Sequence, residues 1–214
     1  MKRLEPHIER VTYKLSDSII KPNRPMTHVV FPETCLASLV IVLESGSTVE
    51  AASVGREGMA GIPPLMAVGT TPMQTVIQVP GDAIRIPIPP VKELFDQKST
   101  FHSLILRYAH TLFVAASQSA ACNRKHQVHE RLARWLLASS DGIGRDDVNI
   151  THEFLATMLG VRRSGVTEGM AALESSKLIE TKRGAIRIVD RPGMQRASCE
   201  CYRSITNEFE RLFA

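Results

Sequence analysis

Between residues 152 and 173 the chain reads HEFLATMLGVRRSGVTEGMAAL, two short amphipathic patterns separated by a tight break. If His152 opens the first helix, Ala156 falls where two helices cross, where only a small side chain permits close approach. Gly160 follows the last turn of that helix, where a left-handed backbone carries no Cβ penalty. Val166, Met170 and Leu173 then stand at i, i+4 and i+7, a single apolar stripe. The other face of the second helix carries Ser164 and Glu168, flanked by Arg163 and Thr167. Short hydrogen-bonding side chains at a helix N-terminus suit a reader of the DNA major groove.

An αα-hairpin of no such function can show the same offsets. The next segment narrows the choice. Leu178-Ile179-Glu180-Thr181 alternates like a strand, Lys182-Arg183-Gly184 makes a basic turn, and Ala185–Val189 is a second strand. A helix pair followed by a basic hairpin predicts a winged helix-turn-helix with Lys182 and Arg183 at the wing tip, facing phosphate.

Upstream the period changes. Residues 26–90 are rich in Val, Ile and Thr, punctuated by Gly and Pro. Residues 39–43 and 48–52 flank Glu44-Ser45-Gly46-Ser47, a hairpin signal. Residues 74–79 and 83–88 flank a second turn at Pro80-Gly81-Asp82. Short strands with frequent turns predict a β-roll or jelly roll. From Val91 to about Asn123 there is neither Pro nor Gly, which predicts one long helix. Phe101, Tyr108, Ala115 and Cys122 recur every seven residues, with Leu104, Ile105 and Leu112 between them. This seam is read as the pairing face for a second copy, since it outruns what one small barrel could cover; packing on the chain's own barrel is the competing reading. Asn123-Arg124-Lys125 interrupts the pattern and predicts a hinge. Val128, Leu132, Trp135 and Leu136 mark another amphipathic helix, ended near Asp141–Gly144, and a last helix follows Arg191-Pro192-Gly193 towards Phe213.

The fold class is therefore α+β, with three units: a β-roll over 1–90, a dimerisation helix and hinge over 91–123, and a winged helix-turn-helix over 124–214. The chain of 214 residues is long enough for two domains with real cores, and its net charge of +4 is mildly basic. Residues 177–196 concentrate Lys177, Lys182, Arg183, Arg187, Arg191 and Arg196 against Glu180 and Asp190. That is a local basic stripe over the wing. No apolar run is long enough to span a bilayer and no signal-peptide pattern opens the chain, so a cytoplasmic protein without a membrane partner is expected. Cys35, Cys122, Cys199 and Cys201 make no disulfide framework.

A β-roll, a long helix and a C-terminal winged helix, in that order, resemble the Crp/Fnr family of bacterial transcription regulators. The resemblance is strongest over 130–190 (ERLARWLL, ITHEFLATMLGVRRSGVTEGMAALESSKLIE, RGAIRIVD) and weaker over 26–90, where Val54-Gly55-Arg56-Glu57-Gly58 looks similar. It implies a homodimer on a two-fold site in double-stranded DNA, with RNA polymerase as a further partner. It places Arg163, Ser164 and Glu168, with Thr167 beside them, on base edges, and Thr151, His152 and Arg162 on phosphates. It places a small-molecule effector pocket around Arg56, Ile62, Met73 and Gln74. Cyclic-nucleotide binders of the family use a Gly-Glu and an Arg-Ser pair. Ile62 stands where the Glu would be, and Met73-Gln74 where Arg-Ser would be. A buried phosphate without a guanidinium is costly, so cyclic AMP is not expected as effector, though Arg56 could be recruited. The first 30 residues hold no Cys, so the iron–sulfur sensor of the Fnr branch is not expected either.

Cys122, His126 and His129 lie at i, i+4 and i+7, ligand spacing of a sort, but a hinge at Asn123 would break their shared face. Cys199-Glu200-Cys201 is too short for a zinc knuckle. No metal and no cofactor is therefore expected, with a redox role for Cys199 or Cys201 left open. No nucleophile elbow, phosphate loop or His-Glu-x-x-His motif points to catalysis. The rival reading is a metabolite-binding β-barrel whose C-terminal helices contact proteins. An enzymatic form of it would need inward His and Glu, and residues 26–90 offer only His28.

Overall fold

The computed structural model describes residues 3–182 and 184–213. Arg183, at the expected wing tip, lies outside them.

The valine- and isoleucine-rich N-terminal part folds into seven antiparallel strands: β1 (Glu9–Tyr13), β2 (Ser18–Ile20), β3 (His28–Pro32), β4 (Leu36–Val42), β5 (Thr48–Val54), β6 (Gln74–Val79) and β7 (Gly81–Pro87). They form two sheets, ordered β1-β7-β3 and β2-β6-β4-β5. Ile20, Val30, Cys35, Ala37, Ile77 and Ala83 pack together from the two sheets. The β4–β5 hairpin closes as the sequence predicts, with Val42 opposite Thr48 and Gly46 at φ +80°. The second turn differs. β6 and β7 belong to different sheets, so Pro80 marks a corner where the chain changes sheet rather than a hairpin.

The long helix is two. α1 (Ile88–Asp96) carries Pro89 and Pro90 in its first turn, where a missing N–H costs nothing. Lys98 at φ +53° then turns the chain into α2 (Thr100–Lys125). The expected hinge at Asn123 is helical; the break falls at His126 and Gln127, both extended. α2 lies with one face on the roll. Ile105 and Tyr108 are buried there against Leu4, Met59, Ile62 and Phe95, and Phe101 and Leu112 pack at the edge of the same cluster. This corrects the expected pairing seam. Of the six, Phe101, Ile105, Tyr108 and Leu112 pack on the chain's own roll, whereas Leu104 is 40% exposed and Ala115 is half-buried outside that cluster. The apolar side chains left open on α2 lie elsewhere, at Leu106 and Phe113, the latter 71% exposed.

The C-terminal part contains α3 (Val128–Ile143), β8 (Asp147–Asn149), α4 (His152–Leu159), α5 (Arg163–Ser175), β9 (Ile179–Lys182), β10 (Ala185–Ile188), α6 (Arg191–Ala197) and α7 (Cys201–Phe213). Its small sheet is ordered β8-β10-β9. The expected single last helix is broken at Ser198–Glu200, and α7 folds back along α2, where Glu208 pairs with His110 at 2.9 Å. Leu132, Trp135, Leu136, Leu155, Val166, Met170 and Ile186 form the domain core, and Leu36 and Val79 of the roll belong to the same cluster. The two halves therefore share buried apolar surface.

Candidate nucleic-acid interface

The local geometry of α4 and α5 follows from a few residues. Thr151 caps α4 by accepting a hydrogen bond from the Phe154 N–H at 3.2 Å. Gly160 ends it at φ +61°, and the Val161 N–H then bonds the Ala156 carbonyl at 3.0 Å. Ala156 is buried at the crossing. Arg131 of α3 fixes the end of α4 from behind, its guanidinium donating to the Leu159 carbonyl and to Asn123 Oδ1. The sequence carried no signal for that strut.

On α5 the apolar stripe faces in: Val166, Met170 and Leu173 are buried. Arg163, Ser164, Thr167 and Glu168 are exposed. The Arg163 side chain is 70% exposed, with Glu153 as its nearest carboxylate at 3.8 Å. Arg162 is the N-cap and makes no side-chain cap bond, so the first N–H groups of α5 have no capping oxygen from it. His152, half-buried, has Nδ1 3.3 Å from Thr167 Oγ1, which ties the first turn of α4 to α5. Thr151 and Arg162 are exposed.

Lys182 ends β9 with its side chain 80% exposed, 3.2 Å from Glu180. Gly184 at φ +83° makes the wing turn. The basic stripe is thinner than the sequence suggests. Arg187 is bound to Asp147 through two hydrogen bonds, Arg191 to Asp141 and Asp146, and Arg196 lies 3.9 Å from Asp190. Those carboxylates are distant in sequence or on the far side of a turn, and pairing with them neutralises half of the expected patch.

The expected effector residues do not converge. Ile62 is core, packed under α1 and α2. Gln74 opens β6 and donates to Ser18 Oγ at 3.2 Å. Met73 precedes it, and Arg56 sits at the end of the roll nearest α3, its backbone N–H donating to the Gly142 carbonyl at 2.9 Å. A cavity of about 570 Å³ opens instead between the roll and the helices. Glu50, Arg56, Tyr108, Arg134, Trp135 and Arg203 line it, drawn from β5, the turn after it, α2, α3 and α7.

Cys122 and His126 do share one side of the end of α2, as their spacing predicts, but His129 does not join them. Cys199 and Cys201 do. The four ligand atoms lie within 4.8 Å of one another. Hydrogen bonding from the Cys199 thiol, aided by the charge of Arg134, pushes the Cys122 thiol down to about 5.

A β-roll is thus joined through a long helix to a winged helix-turn-helix whose polar face is exposed. Residues 130–197 match the family described as the Crp-like helix-turn-helix domain. The whole chain superimposes on a transcriptional regulator of the crp/fnr family from Eubacterium rectale ATCC 33656 (TM-score 0.69, 18% identity, covering 92% of each chain). It also superimposes on FixK2 from Bradyrhizobium japonicum (TM-score 0.74, 10% identity, 90% of this chain and 98% of that one). A third similar structure is a CRP/FNR-family regulator from Thermus thermophilus (TM-score 0.69, 21% identity, 89% and 98%). No curated protein matches the sequence. The chain therefore carries a Crp-like helix-turn-helix domain over residues 130–197 and shares the fold of these regulators over about nine-tenths of its length.

Proposed function

We propose that this chain is a homodimeric transcription regulator that reads a two-fold DNA operator by placing α5 of each copy in successive major grooves. The observation that carries the proposal is the division of α5. Val166, Met170 and Leu173 anchor it in the core, while Arg163, Ser164, Thr167 and Glu168 are exposed towards its N-terminal end. Arg163 has the fork to grip guanine O6 and N7, and Glu168 can accept from cytosine N4. Thr151, His152, Arg162 and Lys182 hold phosphates, with the wing-tip Arg183 expected beside them.

The second copy pairs along the open face of α2. Leu106, Ala109, Phe113, Ala116 and Ala120 follow one another at alternating steps of three and four, the spacing of a coiled-coil seam. Leu106, Phe113 and Ala120 are exposed and Ala109 and Ala116 half-buried, while Tyr108 and Leu112 between them pack on the roll and His110 pairs with α7. An effector, in this reading, enters the cavity between roll and helices rather than the four roll residues that the family pattern indicates. Its lining mixes Glu50 and Glu57 with Arg56 and Arg134, so a zwitterionic or mixed-charge small molecule suits it better than a cyclic nucleotide.

The test is fluorescence anisotropy of the full chain on duplex DNA across a salt series. Binding that weakens steeply with salt is expected, with competition by promoter fragments exceeding that by random sequence. Equal competition by every duplex would leave only non-specific charge and defeat the reading.

A further inference from the structure

We propose that Cys122, His126, Cys199 and Cys201 form a closed, tetrahedral site for one Zn2+ ion that clamps the end of the long helix to the C-terminal segment of the DNA-binding domain.

The distances suit one small ion. Cys122 Sγ lies 3.5 Å from Cys199 Sγ, and Cys201 Sγ lies 3.6 Å from His126 Nδ1. With Zn–S near 2.3 Å and Zn–N near 2.0–2.1 Å, a regular tetrahedron has edges of about 3.8 Å between sulfurs and about 3.6 Å from sulfur to nitrogen. All four donor atoms fall within 4.8 Å of one another, so they converge on a single point. An iron–sulfur cluster would spread its thiolates over several irons, which this convergence does not allow. Three sulfurs and an imidazole are too soft a set for Mg2+ or Ca2+.

The surroundings are those of a built site. The three cysteines are buried together, apart from the larger apolar clusters. His126 offers Nδ1 inward, while its Nε2 lies 3.1 Å from a Glu200 carboxylate oxygen, the kind of outer partner that orients a metal-binding imidazole. Gln118 Nε2 donates to Cys201 Sγ at 3.3 Å. Three thiolates around Zn2+ leave one net negative charge. Arg131 and Arg134 on α3 are close enough for their charges to act on Cys122, and the Nε of each is buried without a partner.

The placement gives the ion a task. Cys122 is in the last turn of α2 and His126 is the residue that ends it. Cys199 lies in the break between α6 and α7, and Cys201 opens α7. The ligands thus close a loop from the dimer-side helix, across the extended pair His126–Gln127, to the far end of the winged domain. Four protein ligands leave no open position, so the ion is structural and carries no reaction. This inference does not depend on what the DNA-binding face recognises.

The experiment uses the full chain, purified under reducing conditions, with metal content by mass spectrometry and Co2+ as an optical probe. About one zinc per chain is expected. Co2+ should give the intense visible bands of tetrahedral thiolate coordination, together with thiolate charge transfer. C122S and C199S should each lose most of the metal, whereas C35A, remote in the roll, should keep it. Glu200→Gln, at an exposed position that leaves the fold intact, should weaken zinc binding about 10- to 100-fold. Absence of zinc from the reduced chain after equimolar zinc is supplied, an octahedral Co2+ spectrum, or equal retention by C122S would overturn the proposal. So would a Cys122–Cys199 disulfide as the state isolated under reducing conditions, which would make the pair a redox couple.

Discussion

Gly55 of the roll lies against Gly142 of α3, backbone to backbone: a Cβ on Gly55 would collide with the Gly142 Cα and carbonyl. The next peptide extends the contact, the Arg56 N–H donating to the Gly142 carbonyl at 2.9 Å. These two glycines let the β-roll touch the helix-turn-helix half at a point bordering the cavity. A helix that ends in glycine and a turn that begins with one are ordinary features separately. Their coincidence is what brings the two halves together.

Gly55→Ala is expected to pry the halves apart. Overpacking of this kind costs about 1–3 kcal/mol. The midpoint of urea unfolding should fall accordingly, and exchange protection should drop at the roll–α3 contact before it drops in the core of either half.

Glu50 predicts a pH dependence. Its carboxylate accepts hydrogen bonds from Trp135 Nε1 at 3.1 Å and from Ser38 Oγ, and burial raises its pKa despite the nearby Arg134. A raised carboxyl binds more protons in the folded than in the unfolded chain, so stability falls as pH rises from the ordinary Glu value through the raised one. The thermal midpoint should therefore decline from mildly acidic towards neutral pH. Glu50→Gln should flatten that decline while keeping the Trp135 bond. A wild-type midpoint that climbs over this interval would contradict the assignment.

Phe113→Asp should separate the proposed dimer. A charge at the centre of the open α2 face leaves the roll contacts of Ile105 and Tyr108 untouched. Sedimentation should show monomer, and affinity for a two-fold duplex should fall at least about tenfold, or about 1.4 kcal/mol. The matching control, Ile105→Asp, should unfold the roll–helix junction instead.

In the proposed reading Lys182 holds a phosphate and no base, and Lys182→Ala tests it. The variant should weaken binding to all sequences alike and lower the slope of affinity against salt by about one. A change of sequence preference would show that the wing reads bases.

How far the sequence disclosed this protein differs by element. The α4–α5 pair was legible down to Ala156 and Gly160, since those signals are local and each has one mechanism, whereas the capping role of Thr151 came only with the structure. The seam on α2 shows the limit of periodicity. A seven-residue repeat establishes that a face is apolar, but not whether the roll or a partner covers it. Ile105 and Tyr108 went to the roll because Met59 and Ile62, about fifty residues earlier, present a matching surface. The break at Lys98 carries neither Gly nor Pro, so nothing marks it. Cys122 and Cys199 are brought together from 77 positions apart by α7 folding back along α2, and no spacing rule reaches that far.

The most direct test of the central claim is selection of bound duplexes from a random pool by the full chain and by Arg163→Ala. The wild type should enrich a two-fold sequence whose half-sites are centred about one helical turn, or roughly 34 Å, apart. Arg163→Ala should keep that spacing but lose preference at one base pair in each half, a change of about 1–3 kcal/mol. An identical consensus from the two proteins, or no enrichment by either at low ionic strength, would contradict the account.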